Sequence, residues 1–341
     1  MKEIKNNNKK GIFKKIFIKI CRFFGYEIID QNTFEIPTLN KSLNEEISLI
    51  GKKSINLPLG EIKITRKVKA LDIIIRTCTE VNMLTQNKQR IFEKDKIEYT
   101  LRSIRSILKS LESSKQLKEI NINFKIIDHK SKKENLDKIH NLFNSFNKKY
   151  DLINLDVSKF EKNIKKINQK NQTVTLNQMS NMANIHQSLI ESKKSEDLIY
   201  FVEDDYIHSR DSLNEMIFTY ERIASQIEKD LILCPADYPY LYSKAEFTRI
   251  LLGQNYHWRK VNETLCTFLT SKEIVNKHWE KLKNMCETEH YPFEKPLHEI
   301  YKDEICLSPI PSLAMHCTNI NSIFGLSPNV DWKKLWDENE K

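Results

Sequence analysis

The chain has 341 residues, 30% of them charged and 40% hydrophobic, with a formal net charge of +9. That is the composition of a water-soluble protein long enough to bury a full core, and it excludes a disordered chain or one made of membrane spans. Neither GxGxxG nor GxxxxGK[ST] occurs among its 6 glycines, which leaves a Rossmann fingerprint or Walker loop without support; no arginine–aromatic signature accompanies the basic surplus, so nucleic acid is not an expected partner.

Taken in chain order, the first element is a helix. Ile12, Phe13, Ile16, Phe17, Ile20, Phe23 and Phe24 recur at helical spacing, with Lys14, Lys15, Lys19 and Arg22 on the other side. This predicts a basic amphipathic helix within 1–28, either lying in an anionic membrane interface or docking on a protein surface. Residues 29–68 read as a connector with the turn signals IPTLNKS and NLPLG, and the alternation in EIKITRKV predicts a strand leading into the main domain. The seven cysteines are dispersed and include no CxxC pair, which fits a reducing, cytoplasmic setting.

From residue 69 onward strands and helices alternate. LDIIIRT (Leu71–Thr77) and NINFKIID (ending at Asp128) are strands by their apolar, β-branched runs, and DLINLDVS is a shorter one. Helices are predicted over Lys96–Leu117, Leu176–Ser192 and Ser212–Lys229, and LILCPAD is another strand. Such alternation predicts an α/β fold with a mostly parallel central sheet flanked by helices. The stretch from Asp237 to Asp331, richer in proline and aromatics, is expected to form an α+β extension that builds the far wall of a cleft. The expected organisation is a domain over 69–332, divided into two halves at 210/211, with 333–341 as a tail.

The most informative stretch is LIYFVEDD. Leu198, Ile199, Tyr200, Phe201 and Val202 form a buried strand that breaks into Glu203, Asp204 and Asp205. Three adjacent carboxylates are costly to bury, so they belong at the strand's open end, where a cation neutralises them. In open α/β sheets that end is also the ligand crevice. A solvated loop with Ser209 or Asp211 capping the next helix is the plainer reading of the same residues.

The order of these pieces resembles a glycosyltransferase of the GT-A fold, family-2-like, from about Leu71 to Ser327. The EDD form of its acidic DxD-type motif is similar to that of N-acetylglucosaminyltransferase I. The resemblance implies a nucleotide-diphosphosugar donor, UDP-linked donors preferred, and Mn²⁺ or Mg²⁺ as cofactor. It implies Asp205 as the metal ligand, and Glu203 and Asp204 near the ribose, the metal's waters or the sugar. Asp128 would accept from the nucleobase, with Arg76 and Thr77 near the nucleotide and His316 facing the metal or the diphosphate. His129-Lys130 departs from the acidic-Gly-Ser turn usual after the second strand. The catalytic base would come from YPFEKPLHEIYKDE, with Glu299 preferred over Glu294 and Asp303. Asp237 and Tyr238 in CPADYPYLY, and Trp258 and Arg259 in QNYHWRK, would line the acceptor side.

The implied activity is metal-dependent, inverting transfer onto a glycan or glycolipid, as in polysaccharide biosynthesis. The implied location is the cytoplasm, with peripheral attachment to the inner face of the membrane through the first helix. Two alternatives remain at this point: a nucleotidyltransferase, which would ordinarily carry a Gly-rich, Lys-bearing phosphate loop, and a non-catalytic membrane-associated interaction protein with a degenerate transferase fold.

Overall fold

The computed structural model describes residues 12–26, 62–80, 91–243, 247–317 and 324–340. The chain divides into two units, Met1–Lys63 and Ile64–Lys341. In the first, helix α1 (Ile12–Phe23) exposes Phe13, Ile16, Phe17, Ile20 and Phe23 along one stripe, with Lys19 and Arg22 also in solvent. Residues 29–61 of the predicted connector over 29–68 lie outside the described residues. Among those described, no helix is long and apolar enough to cross a membrane.

The second unit is built on β1 (Ala70–Thr77), β2 (Asn121–Asp128), β3 (Asp151–Asn154), β4 (Leu198–Glu203), β5 (Tyr206–His208) and β6 (Ile232–Leu233). β7 (Ile250–Leu252), β8 (His257–Lys260), β9 (Phe268–Ser271), β10 (Cys306–Ile310) and β11 (Ala314–His316) follow. Nine of them form one sheet in the order β3-β2-β1-β4-β9-β6-β10-β8-β7, while β5 and β11 pair separately. β3, β2, β1 and β4 run parallel, as do β6 and β10; β9 enters antiparallel beside β4, and β8 and β7 extend the far edge antiparallel. The parallel part of the sheet thus occupies the first half of the domain, and the second half mixes directions.

Helices cover both faces. They are α2 (Lys96–Glu112), α3 (Lys133–Ser145), α4 (Ser158–Glu161), α5 (Leu176–Ser192), α6 (Ser212–Ile227), α7 (Lys272–Lys277), α8 (Trp279–Glu287), α9 (Lys295–Ile300) and α10 (Trp332–Glu338). Leu71, Ile73 and Ile75 of β1, with Tyr200 and Val202 of β4, pack against α2, α3 and α6. Ile74, Ile199 and Phe201 point the other way, toward α5, α8 and α9. Burial on both faces is why these strands read as continuous apolar runs. Each such Leu or Ile contributes about 1.5–3 kcal/mol relative to exposure.

Three segments differ from the sequence reading. Residues 62–68 of EIKITRKV alternate in burial but join no ladder, because side chains of other elements take backbone donors there. Thr65 and Arg66 N–H donate to Ser225 Oγ at 2.9 and 2.8 Å, and Val68 N–H to Glu221 Oε1 at 2.8 Å. The segment over Lys133–Ser145, which carried no predicted element, is helix α3. The expected tail folds as α10, whose last carbonyls accept from three cations of α2. Arg102 donates to Trp336 O at 3.1 Å, Arg105 to Asn339 O at 2.7 Å, and Lys109 to Glu338 O at 2.5 Å. Cations at a helix C-terminus also complement its dipole.

The β7–β8 edge is fixed by one buried carboxylate. Glu215 of α6 accepts from the N–H groups of Gln254, Asn255 and Tyr256 at 2.8–3.2 Å, from Trp258 Nε1 at 3.1 Å and from Thr219 Oγ1 at 2.8 Å. Glu215→Ala strands these donors and is expected to lower unfolding free energy by about 3 kcal/mol. Urea denaturation with an unchanged m-value checks this, and a loss under about 1 kcal/mol would contradict the role of Glu215 as the hub.

Candidate active site

β4 is flanked by β1 and β9, and its apolar residues leave no route for charge except its C-terminal end. There Glu203 closes the strand, Asp204 and Asp205 make a two-residue turn, and β5 begins at Tyr206. Each carboxylate meets a different partner. Glu203 pairs with Arg76 NH2 at 2.9 Å, its register neighbour on β1. Asp204 is buried, held by Lys96 Nζ at 2.5 Å and by Thr100 Oγ1 at 2.8 Å from α2. Asp205 Oδ2 faces His316 Nε2 at 3.7 Å.

His316 reaches that position because β11 pairs with β5, placing His316 opposite Tyr206. Its ring stacks on Tyr206 with centroids 4.7 Å apart. Its Nδ1 lies 2.9 Å from the carbonyl of Phe324, which can only accept, so Nδ1 carries the hydrogen and Nε2 is aimed at Asp205. Burial opposes a charge on His316, but Asp205, followed by Glu203, outweighs it and raises the imidazole above its ordinary pKa.

A fourth carboxylate joins these groups. Glu294, the N-cap of α9, is pushed up to about 7 by burial and by Glu203, against the opposing pull of its own backbone N–H, Arg76 and His316. Arg76 keeps its charge: burial works against it, but Glu203, Cys266, Asp204 and Asp205 raise its pKa. Arg76 NH1 also donates to Asn181 Oδ1 at 2.9 Å.

Of the residues expected at the site, Arg76, Glu203, Asp205, His316 and Glu294 come together. Glu299 and Asp303 do not; they pair on the surface with Lys302 at 2.7 Å and Lys281 at 2.9 Å. Glu294 differs from Glu299 and Asp303 in lying within electrostatic reach of Glu203, Arg76 and His316 rather than among surface lysines. Asp128 is buried and engaged within its own turn: Oδ1 accepts from Thr77 Oγ1 at 2.8 Å and Ser131 Oγ at 2.6 Å, and Oδ2 from Ser131 N at 3.0 Å. Thr77 is thereby occupied in joining β1 to β2.

On the expected acceptor side, Trp258 is fully buried with its indole on Glu215, so it belongs to the core. Tyr238 is likewise buried, its hydroxyl 2.7 Å from that of Tyr206, one layer behind His316. Asp237 and Arg259 neutralise each other in a buried pair. Tyr242 donates to the same carboxylate and lies under the Arg259 guanidinium at 4.5 Å. Burial raises Asp237, against the pull of Tyr242 and Arg259.

The sequence reading missed the polar face of α5. Asn181 holds Arg76, and Asn184 Nδ2 donates to Ile127 O at 3.1 Å while its buried Oδ1 has no protein partner. Ser180 Oγ lies 2.6 Å from His129 Nδ1 at the exit of β2. Two asparagines three apart in SNMANIH were the available signal, since that spacing puts both on one helical face.

Among the described residues no three His, Cys, Asp or Glu side chains converge to enclose a metal ion. The Asp205–His316 separation of 3.7 Å is too long for a hydrogen bond yet within the span of two ligands on one cation. One carboxylate oxygen and one imidazole nitrogen fit a divalent ion, Mn²⁺ better than Mg²⁺, with other positions left to water and phosphate oxygens.

No family model matches the chain, and no curated protein does. Among solved structures it is similar to TarS of S. aureus, with TM-score 0.33 and 10% identity over 61% of this chain and 29% of that one. It is also similar to the galactosyltransferase LgtC in complex with donor and acceptor sugar analogs, with TM-score 0.33 and 11% identity over 68% and 65% of the two chains. For mouse xyloside xylosyltransferase 1 the values are 0.36 and 11%, over 68% and 76%. The chain thus spans less than a third of TarS and just under two-thirds of LgtC. Likeness at this level assigns no activity.

The environment of Glu294 is open to direct measurement. In infrared difference spectra of the metal-free protein, a protonated carboxyl band is expected to disappear with a midpoint near pH 7 and to be missing in Glu294→Gln. A midpoint near the ordinary glutamate value of about 4.3 would show that this carboxyl faces water.

Proposed function

We propose that this chain is a metal-dependent, inverting glycosyltransferase of the GT-A kind, which moves a hexosyl or N-acetylhexosaminyl group from a nucleotide diphosphosugar to a glycan or lipid-linked acceptor. The observation that carries this reading is Asp205 facing Nε2 of His316 at 3.7 Å, at the open end of β4. The parallel β3-β2-β1-β4 half supports it, because that crevice accommodates a nucleotide.

Each residue has a task in this reaction. Asp205 and His316 would hold the cation, which when bound supplies positive charge to the diphosphate leaving group. Arg76, fixed between Glu203 and Asn181, holds further positive charge at the end of β1. Glu294 takes the proton from the acceptor hydroxyl as that oxygen bonds to the anomeric carbon, while the bond from that carbon to the diphosphate breaks and the nucleoside diphosphate leaves. A base near neutral pKa suits that step, since it is largely deprotonated above pH 7 and strong enough to accept a proton. Asn181, Asn184 and the Ser180–His129 pair line the donor side of the crevice. UDP is the preferred nucleotide on the family resemblance.

The exposed apolar stripe of α1 beside basic side chains supports attachment to an anionic membrane, in keeping with a lipid-linked acceptor at the cytoplasmic face.

Two experiments test the reading. Calorimetric titration with a UDP-sugar is expected to show Mn²⁺-dependent binding that Asp205→Ala weakens at least tenfold, about 1.4 kcal/mol; unchanged Mn²⁺-dependent affinity sinks the metal assignment. Deleting residues 1–28 is expected to weaken binding to phosphatidylglycerol vesicles while donor hydrolysis persists. Vesicle binding that survives the deletion removes α1 as the anchor.

A further inference from the structure

We infer that Lys96, with Thr100 one turn later on α2, is a positioning residue that withholds Asp204 from the cation and so limits how tightly the chain binds metal without a donor. The inference rests on the metal-dependent reading above.

Asp204 and Asp205 are consecutive members of one tight turn at the end of β4, so either carboxylate is a candidate ligand for an ion there. They are treated differently. Asp204 is buried, and both its oxygens are occupied, Oδ1 by Lys96 Nζ at 2.5 Å and Oδ2 by Thr100 Oγ1 at 2.8 Å. Lys96 is itself buried, although lysine is rarely found so unless paired. It sits in the first turn of α2, where a cation is disfavoured by the helix dipole, so its placement is set by Asp204 rather than by the helix. Thr100 adds a second tether from the same helix, and its hydroxyl also lies 3.2 Å from Lys96 O. The arrangement fixes Asp204 in direction and cancels its charge, leaving Asp205 and His316 to face the ion.

The consequence is chemical. An ion gripped by two carboxylates and an imidazole would bind before the donor and retain the nucleoside diphosphate product. An ion held by one carboxylate and one imidazole keeps more open positions for phosphate oxygens, so metal and nucleotide reinforce each other. Lys96 thus makes metal binding depend on the donor. If Lys96 loses its charge, Asp204 becomes an uncompensated carboxylate beside the cation site, and the cation is its available partner.

The test is Mn²⁺ binding to the full chain, read as loss of the free-ion signal in electron paramagnetic resonance, with and without UDP. Lys96→Met is expected to tighten Mn²⁺ binding in the absence of UDP about tenfold and to reduce the strengthening that UDP confers. Lys96→Arg, which keeps the charge, is expected to behave like the parent protein. Lys96→Met combined with Asp204→Asn, which removes both charges, is expected to return Mn²⁺ affinity to the parent value. Thr100→Val covers the case in which Lys96→Met does not fold, and is expected to tighten binding about twofold. Unchanged or weaker Mn²⁺ binding in a folded Lys96→Met, or in Thr100→Val if that is the variant that folds, overturns the inference and leaves the pair merely structural. A parent protein that binds no Mn²⁺ even with UDP instead overturns the metal-dependent reading on which it rests.

Discussion

Three consecutive carboxylates at the end of a buried strand repel one another, and the surrounding fold divides that charge. At 4 Å two like charges cost about 4 kcal/mol at an effective dielectric of 20. Glu203 is matched from β1 by Arg76, Asp204 from α2 by Lys96, and Asp205 faces β11 through His316. Three elements that are distant in sequence must therefore converge on one turn. Glu294 adds a fourth carboxyl from α9, and its raised pKa registers the burial and negative charge around it.

The second layer keeps this convergence rigid. β5 and β11 turn Tyr206 and His316 toward the site, and Ile207 and Met315 toward Tyr99 and Trp336. Trp336 belongs to α10, whose indole lies under Arg102 at 4.3 Å and stacks on Phe92 at 3.9 Å. The helix α2 thus performs two tasks. Its first turn holds Asp204, and its later turns hold the carbonyl end of α10, which backs the ribbon carrying His316.

Where a segment's own pattern decides its structure, the sequence was readable. β1, β2 and β4 follow from their apolar runs, α2, α5 and α6 from their spacing, and the acidic end of β4 from the cost of burying it. What was not legible depends on partners elsewhere in the chain. EIKITRKV has a strand's alternation, but Ser225 and Glu221 take its donors, so it joins no sheet. Trp258 beside Arg259 reads as lining the acceptor side until Glu215, 43 residues away in sequence, claims the indole. Asp128 ends its strand as a nucleobase acceptor would, yet Ser131 and Thr77 already donate to both its oxygens. Glu294, Glu299 and Asp303 lie within ten residues, and only the path of the chain into α9 separates the one within electrostatic reach of Glu203, Arg76 and His316 from the two held by surface lysines.

The central claim is that the open end of β4 binds a nucleotide diphosphate through a divalent cation. The most direct measurement is the melting temperature of the full chain with UDP, GDP, CMP and dTDP, each with and without Mn²⁺. Selective binding stabilises the native state by mass action. A rise is expected that requires Mn²⁺ and is largest for one nucleoside diphosphate. No shift with any nucleotide, or equal shifts with and without the metal, would contradict it.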